Sequence, residues 1–181
     1  MDRGQFMEMV AVIKSCYPRD NLLSIDKVIE VWYRQLEDLD YGIAMVALNK
    51  WIATEKWPPS IADLRSLYVD IKEGYDTDDW SKAWEEVNRM IIKYGYYRPD
   101  EAYAELAKIN ELAVTVVKRI GYGKLCMSEN QTADRANFRD IYCELSKRKK
   151  EDSQIPTQVK MMIDEMRNLR IANDEHKQLE G

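Results

Sequence analysis

Few side chains in this sequence could carry acid–base, nucleophilic or metal chemistry. Histidine occurs once among 181 residues, at His176. A His-dependent catalytic triad or a His-rich metal site would have to rely on that residue, six positions or fewer from the end of the sequence. The three cysteines, Cys16, Cys126 and Cys143, form no CxxC pair, and we expect them to be reduced, buried thiols. This small set of reactive side chains predicts a protein that is not an enzyme and has no metal or cofactor.

Two other patterns hint at ligand binding without meeting its requirements. Gly121-Tyr-Gly-Lys124 is similar to a phosphate loop, but a Walker motif needs a preceding strand and Ser or Thr after the lysine, where this sequence has Leu125. We interpret the two glycines as a helix end and a tight turn. Glu85 and Glu86 could bind a hard cation, but adjacent side chains diverge on a helix. These acids fit a solvated helix face.

The basic residues allow two interpretations. Arg135 and Arg139 are four residues apart and share one face of a predicted helix, and a cluster of four basic residues follows near its C-terminal end. The helix dipole favours positive charge there, so the cluster fits solvated helix-end charge. Contact with nucleic acid or with an acidic partner is the alternative. The cluster comprises Lys147, Arg148, Lys149 and Lys150.

Composition indicates a helical protein with an acidic balance. Hydrophobic residues make up 45% and charged residues 33%, with only 7 Gly and 5 Pro, which disfavours a loop-rich β fold. The formal net charge of −5 disfavours a protein whose main task is to coat nucleic acid. The first residues lack the apolar core of a signal peptide, and no run approaches the roughly 18 apolar residues of a membrane span. We expect a soluble, cytoplasmic protein that stays inside the cell that makes it, with no membrane contact.

Apolar periodicity predicts an all-α fold of two small helical bundles, a short polar linker between them, and a C-terminal helical or disordered tail. Residues 1–73 form a four-helix bundle in which Ser24, Asp40 and Ser60 can cap helices. Residues 79–150 form a second helical domain. A capping box of Ser128 with Gln131 opens its last helix. Core positions expected in this domain are Trp80, Trp84, Ile141 and Tyr142.

Residues 151–181 form the tail, which we interpret as a docking helix or as a disordered segment that folds on a partner. Spacings of three and four predict an a/d seam of a short heptad pattern. An apolar strip in the same segment fits partner binding or packing on the protein's own bundle equally well. The seam comprises Val159, Met162, Met166, Leu169, Asn173 and His176, and the strip comprises Met161, Met162, Ile163, Met166 and Leu169. Elsewhere, Trp57 is the one tryptophan predicted to be an exposed anchor.

Several longer strings carry a family resemblance. They include Lys56-Trp-Pro-Pro-Ser-Ile-Ala-Asp-Leu-Arg65, Asp79-Trp-Ser-Lys-Ala-Trp-Glu-Glu-Val87 and the run from Ser128 to Tyr142. In these strings the chain resembles the replicative-helicase loader and inhibitor family, or replisome organisers, of phages and prophages of Gram-positive bacteria. The resemblance covers most of residues 1–150.

The resemblance implies a non-enzymatic phage DNA-replication adaptor. Such a protein binds the hexameric replicative helicase, holds it inactive and helps to load it at the origin through a phage origin-binding initiator. This chain departs from the short members of the family, because a second helical domain stands between the first bundle and the tail. Candidate partner-binding residues are Arg135, Arg139 and the apolar strip. The alternatives are a nucleic-acid-binding module that uses Lys147–Lys150, and an inhibitor of a host replication protein without a loading step.

Overall fold

The computed structural model describes the backbone of residues 1–74 and 79–179, and the side chains of residues 1–74 and 80–170. Within these ranges the chain forms ten α-helices and no strand, so the predicted all-α fold is confirmed. The helices are α1 (Arg3–Cys16), α2 (Asp26–Leu36), α3 (Tyr41–Thr54), α4 (Ile61–Glu73), α5 (Asp79–Tyr94), α6 (Pro99–Ile109), α7 (Glu111–Ile120), α8 (Tyr122–Met127), α9 (Gln131–Gln154) and α10 (Thr157–Leu179).

Internal contacts divide the chain into two compact units. The first comprises Met1–Gly74 together with Glu151–Gly181, and the second comprises Tyr75–Lys150. The division therefore falls within α9. Sequence patterns divide the chain into residues 1–73, 79–150 and 151–181. That these three segments are separate domains stays a prediction. Part of the expected polar linker, residues 75–78, lies outside the described residues.

In the first unit, helix ends follow local capping chemistry in two of the three expected places. The Asp40 carboxylate accepts a hydrogen bond from the backbone N–H of Ile43, 3.0 Å away, at the start of α3. Ser60 and Asp63 form a reciprocal capping box at the start of α4. The cap expected from Ser24 is wrong, because α2 begins at Asp26 and its N-cap residue makes no side-chain hydrogen bond.

The core of the first unit lies between α1, α2, α3 and α4. Successive apolar turns of each helix face inward, as their three- and four-residue spacing requires. Pro59 is buried in the connection that precedes α4. Buried side chains include Phe6, Met9, Ile13, Leu36, Leu48, Leu64 and Tyr68.

In the second unit, all five helices from α5 to α9 contribute to one apolar cluster. Trp84 and Phe138 lie with ring centroids 5.2 Å apart, and Phe138 stacks on Tyr142. Of the expected core residues, Trp84 and Tyr142 are buried, whereas Trp80 and Ile141 are partly buried and pack against the cluster.

Two local expectations in the second unit are corrected by the structure. Gly121 ends α7 with a φ of +100°, but a short helix, α8, follows it instead of a tight turn. At the start of α9 the cap is the side chain of Asn130, which accepts from the N–H of Ala133 at 3.1 Å. The Ser128 hydroxyl instead accepts from the N–H of Asn130, so the expected Ser128–Gln131 capping box is wrong.

The thiols also differ from expectation. Cys16 and Cys143 are exposed and Cys126 is half-buried, so the prediction of three buried thiols is wrong. None of the three forms a disulfide. Both exposed thiols lie on helices whose inner faces are filled by larger apolar side chains, which leaves the thiols on the solvent side.

Candidate partner-binding surfaces

The second unit presents two arginines over one partly buried tryptophan. The guanidinium carbon of Arg135 lies 5.3 Å from the centroid of the Trp80 ring, and that of Arg139 lies 6.0 Å from it. Arg139 also donates to the Asp140 carboxylate at 3.0 Å. Both arginines are exposed. Their one-turn spacing on α9 therefore produces a paired cation–π arrangement, which holds two planar donors on the surface.

The basic cluster Lys147–Lys150 occupies the later part of α9 and is partly paired within the chain. Arg148 forms an ion pair with Glu144, one turn earlier, at 2.6 Å. Lys147 and Lys150 also have interaction partners in the structure. This pairing lowers the local positive potential and weakens the interpretation of the cluster as a nucleic-acid site.

The apolar strip of α10 is exposed. Met161, Met162, Met166 and Leu169 retain 60%, 55%, 66% and 65% of their accessible surface, and Ile163 is half-buried. Over the described residues they are not part of the buried core that α1, α2, α3 and α4 form in the first unit. The seam positions Asn173 and His176 belong to the part of α10 whose side chains lie outside the described residues.

The start of α10 is held to the first unit by a charged network that sequence patterns missed. Arg65 is only 4% exposed, and its guanidinium forms two hydrogen bonds with the Asp38 carboxylate, at 2.7 and 3.0 Å. It also donates to the carbonyl of Gln35 at 2.6 Å and to that of Gln154. Asp38 in turn accepts from the N–H and the hydroxyl of Thr157, at 3.0 and 3.2 Å.

Asp38 therefore acts as a cap for α10 from another part of the chain. Thr157 is the first residue of α10, and its N–H is one of those that a helix leaves without an internal acceptor. Burial on its own would raise the pKa of the Asp38 carboxyl, but hydrogen bonds from Arg65 and Thr157 outweigh it, so the pKa is lowered. The carboxylate stays ionised and complements the positive end of the helix dipole.

A sequence signal for Arg65 existed. The residue stands four positions after Ile61 and three before Tyr68, on the inner face of α4. A charge on an apolar helix face requires a buried partner. The identity of that partner was not accessible from spacing, because Asp38 and Gln154 are distant from Arg65 in the sequence.

Trp57 is exposed, as predicted, with 68% of its surface accessible. The ammonium of Lys56 lies 5.5 Å from the centroid of the Trp57 ring. The backbone carbonyl of Trp57 accepts a hydrogen bond from the indole N–H of Trp51 at 2.8 Å. Next to it, a shallow apolar groove of about 480 Å³ contains Trp32 and Pro58 in its lining. Tryptophan is enriched among the residues that dominate binding energy at protein interfaces, which makes Trp57 a candidate contact residue.

The described residues contain no helix with the length and apolar character to cross a bilayer. Over the same ranges, no three His, Cys, Asp or Glu side chains converge as metal ligands.

Comparison with known proteins locates a family relationship in the first unit. Residues 1–65 match the family model for the N-terminal domain of a phage helicase loader/inhibitor. This region contains α1, α2, α3 and the start of α4, and it ends at Arg65. No curated protein and no solved structure matches the chain significantly. The family match confirms, for residues 1–65, the resemblance to the phage helicase loader/inhibitor family.

Proposed function

We propose that this protein is a phage DNA-replication adaptor that binds the hexameric replicative helicase, holds it inactive and helps to load it at the origin. The observation that carries the proposal is the match of residues 1–65 to the N-terminal domain of the loader/inhibitor family. That family is not a family of enzymes. The adaptor itself supplies a grip, and ATP hydrolysis belongs to the helicase.

The proposed grip has an apolar part and a charged part. The apolar part is the exposed strip of α10, whose flexible methionine side chains can adapt to a partner surface. Arg135 and Arg139 form the charged part, where stacking on Trp80 limits the orientations of the guanidinium groups and so favours defined contacts with acidic residues.

A pull-down with the replicative helicase of the bacterial host tests the proposal. The full chain should capture the helicase. A chain that ends at Lys160 should bind it at least tenfold more weakly, because it keeps the contacts of Gln154 and Thr157 with the first unit but lacks the strip. Absence of binding by the full chain contradicts the proposal, whereas equal binding by both chains contradicts only the role of the strip.

The charged part has a separate test in the full chain. Arg135→Ala should weaken capture of the helicase several-fold and make the remaining binding less sensitive to salt. Arg148→Ala is the matched control, since it removes another exposed arginine from α9 that is already paired with Glu144. Equal effects of the two substitutions would show that only the total charge matters.

Helicase activity distinguishes a loader from an inhibitor without a loading step. Unwinding of a forked duplex is measured with helicase alone, with the adaptor, and with adaptor and phage origin-binding initiator together. Both kinds of protein lower unwinding in the second reaction. A loader restores it in the third, and unwinding that stays low there assigns inhibition alone.

A further inference from the structure

The exposed face of α10 has the pattern of a coiled-coil seam. Val159 and Met166 occupy a positions, and Met162 and Leu169 occupy d positions, of a heptad that begins at Val159. The side chains of Met162, Met166 and Leu169 are more than half exposed. Continuous apolar surface of this kind is uncommon on a monomer and marks a contact site.

Three features of the first unit make its own bundle a poor cover for this face. The first turn of α10 is fixed by Thr157 on Asp38. Gln158 adds a hydrogen bond to the Glu37 carboxylate. Beyond Lys160 every described side chain of α10 except Ile163 is exposed. The helix is thus anchored at its start and presents its seam to solvent.

The charges that flank the seam identify the occupant. Glu165 stands at a g position and Arg170 at the e position of the following heptad, and both are exposed. In a parallel pair of helices, g of one helix faces the next e of the other, which brings Glu165 against Arg170 twice by symmetry. In an antiparallel pair g faces g, which sets Glu165 against Glu165 of the other copy.

Other charges in the same stretch are satisfied within one helix. Asp164 and Arg167 stand at outward f and b positions and form an intrahelical ion pair at 3.7 Å. They are therefore available as internal controls. The heptad register thus places Glu165 and Arg170, which have opposite charges, beside the seam. Asp164 and Arg167, which pair with each other, lie on the opposite side of the helix.

We propose that α10 pairs two copies of this chain in a parallel, two-stranded coiled coil. The contact buries Val159, Met162, Met166 and Leu169 of each copy, and Glu165–Arg170 contacts between the copies set its orientation. This inference goes beyond the helicase grip and does not depend on it. If the strip also binds the helicase, as proposed above, self-pairing and helicase binding exclude each other.

Sedimentation equilibrium of the full chain, without helicase, tests the pairing. We expect a concentration-dependent equilibrium between monomer and dimer. Met166→Glu should abolish the dimer, because it places a charge in the seam, and it should leave the far-ultraviolet circular dichroism of the monomer unchanged, because the side chain is 66% exposed. A chain that remains monomeric up to about 1 mM, or a dimer that survives Met166→Glu, overturns the proposal.

Charge reversal tests the parallel register. Glu165→Lys and Arg170→Glu should each weaken the dimer about tenfold, through two symmetry-related repulsions, and the double variant should restore it. Asp164→Lys is the matched control, since it changes the net charge by the same amount as Glu165→Lys on the outward face. Single reversals no stronger than this control, or a double variant that stays weak, contradict the parallel coil.

Discussion

Arg65 is nearly completely buried in the first unit. Its guanidinium forms an ion pair with a carboxylate and donates further hydrogen bonds to backbone carbonyls. Its guanidinium contacts Asp38, Gln35 and Gln154, which come from two separate parts of the chain, the end of α2 with the residues that follow it and the end of α9. Burial of a charge is tolerated only with such pairing and hydrogen bonding. The residue lies at the end of the matched family domain and connects that domain directly to the end of α9, and through Asp38 to the start of α10.

Arg65→Met should lower the free energy of unfolding of the first unit by about 3–5 kcal/mol. Methionine fills part of the space but leaves the Asp38 carboxylate, with its side chain 19% exposed, without its cationic partner. The carbonyls of Gln35 and Gln154 lose a donor as well. Urea unfolding followed by circular dichroism measures the change.

Arg34→Met is the control for this substitution. Arg34 also pairs with a carboxylate, Glu30, at 3.2 Å, but its side chain is 67% exposed. An exposed pair of this kind contributes less than about 1 kcal/mol. Similar losses of unfolding free energy in both variants would contradict the structural role assigned to the buried network.

At the scale of single helices, the beginning of α9 depends on Asn130. Asn130→Ala should lower the free energy of unfolding of the second unit by about 1 kcal/mol, because the N–H of Ala133 loses its side-chain acceptor. Gln131→Ala is the control and should change stability by only a few tenths of a kcal/mol, since alanine is a good helix former. Thermal unfolding measures both. A larger loss from Gln131→Ala would instead support the capping box inferred from the sequence.

Helices were accessible from the sequence because apolar periodicity and caps are local properties. The caps at Asp40 and Ser60 and the core positions Trp84 and Tyr142 are all found in the structure. Errors occurred where neighbouring residues compete for one role. Ser128 and Asn130 are both good cap residues, and only the backbone path decides between them. The short α8 follows Gly121 and contains Gly123, and glycine disfavours helices.

The candidate surfaces were predictable to the extent that they lie on one helix. The shared helix face of Arg135 and Arg139 follows from their four-residue spacing. The apolar strip of α10 is also visible in the sequence, but its exposure is not, because packing on the protein's own bundle fits the same pattern. Their stacking on Trp80, which is 55 residues before Arg135, does not follow from spacing. The network of Arg65 was missed for the same reason, because its partners meet only after the chain has folded.

At the scale of the whole molecule, the contact pattern places two apolar cores in two units. Each core contains a methionine that is almost inaccessible, Met9 in the first unit and Met90 in the second, with 2% and 1% of their surface exposed. Truncation of a buried methionine to alanine removes apolar contacts and leaves a cavity, with a loss of about 2–5 kcal/mol. Substitution of each methionine therefore tests whether the two units unfold together or independently.

If the units unfold independently, Met9→Ala should speed amide hydrogen exchange in α1–α4 and leave α5–α7 unchanged, since exchange of protected amides reports the stability of the cooperative unit that contains them. Met90→Ala should do the reverse. The double variant should show both effects at their single-variant size, because distant substitutions in separate units add. Exchange measured by mass spectrometry under native conditions resolves the helices. If either single substitution speeds exchange equally in both groups of helices, the chain unfolds as one cooperative body, and the domain division inferred from the sequence is wrong as a statement about folding.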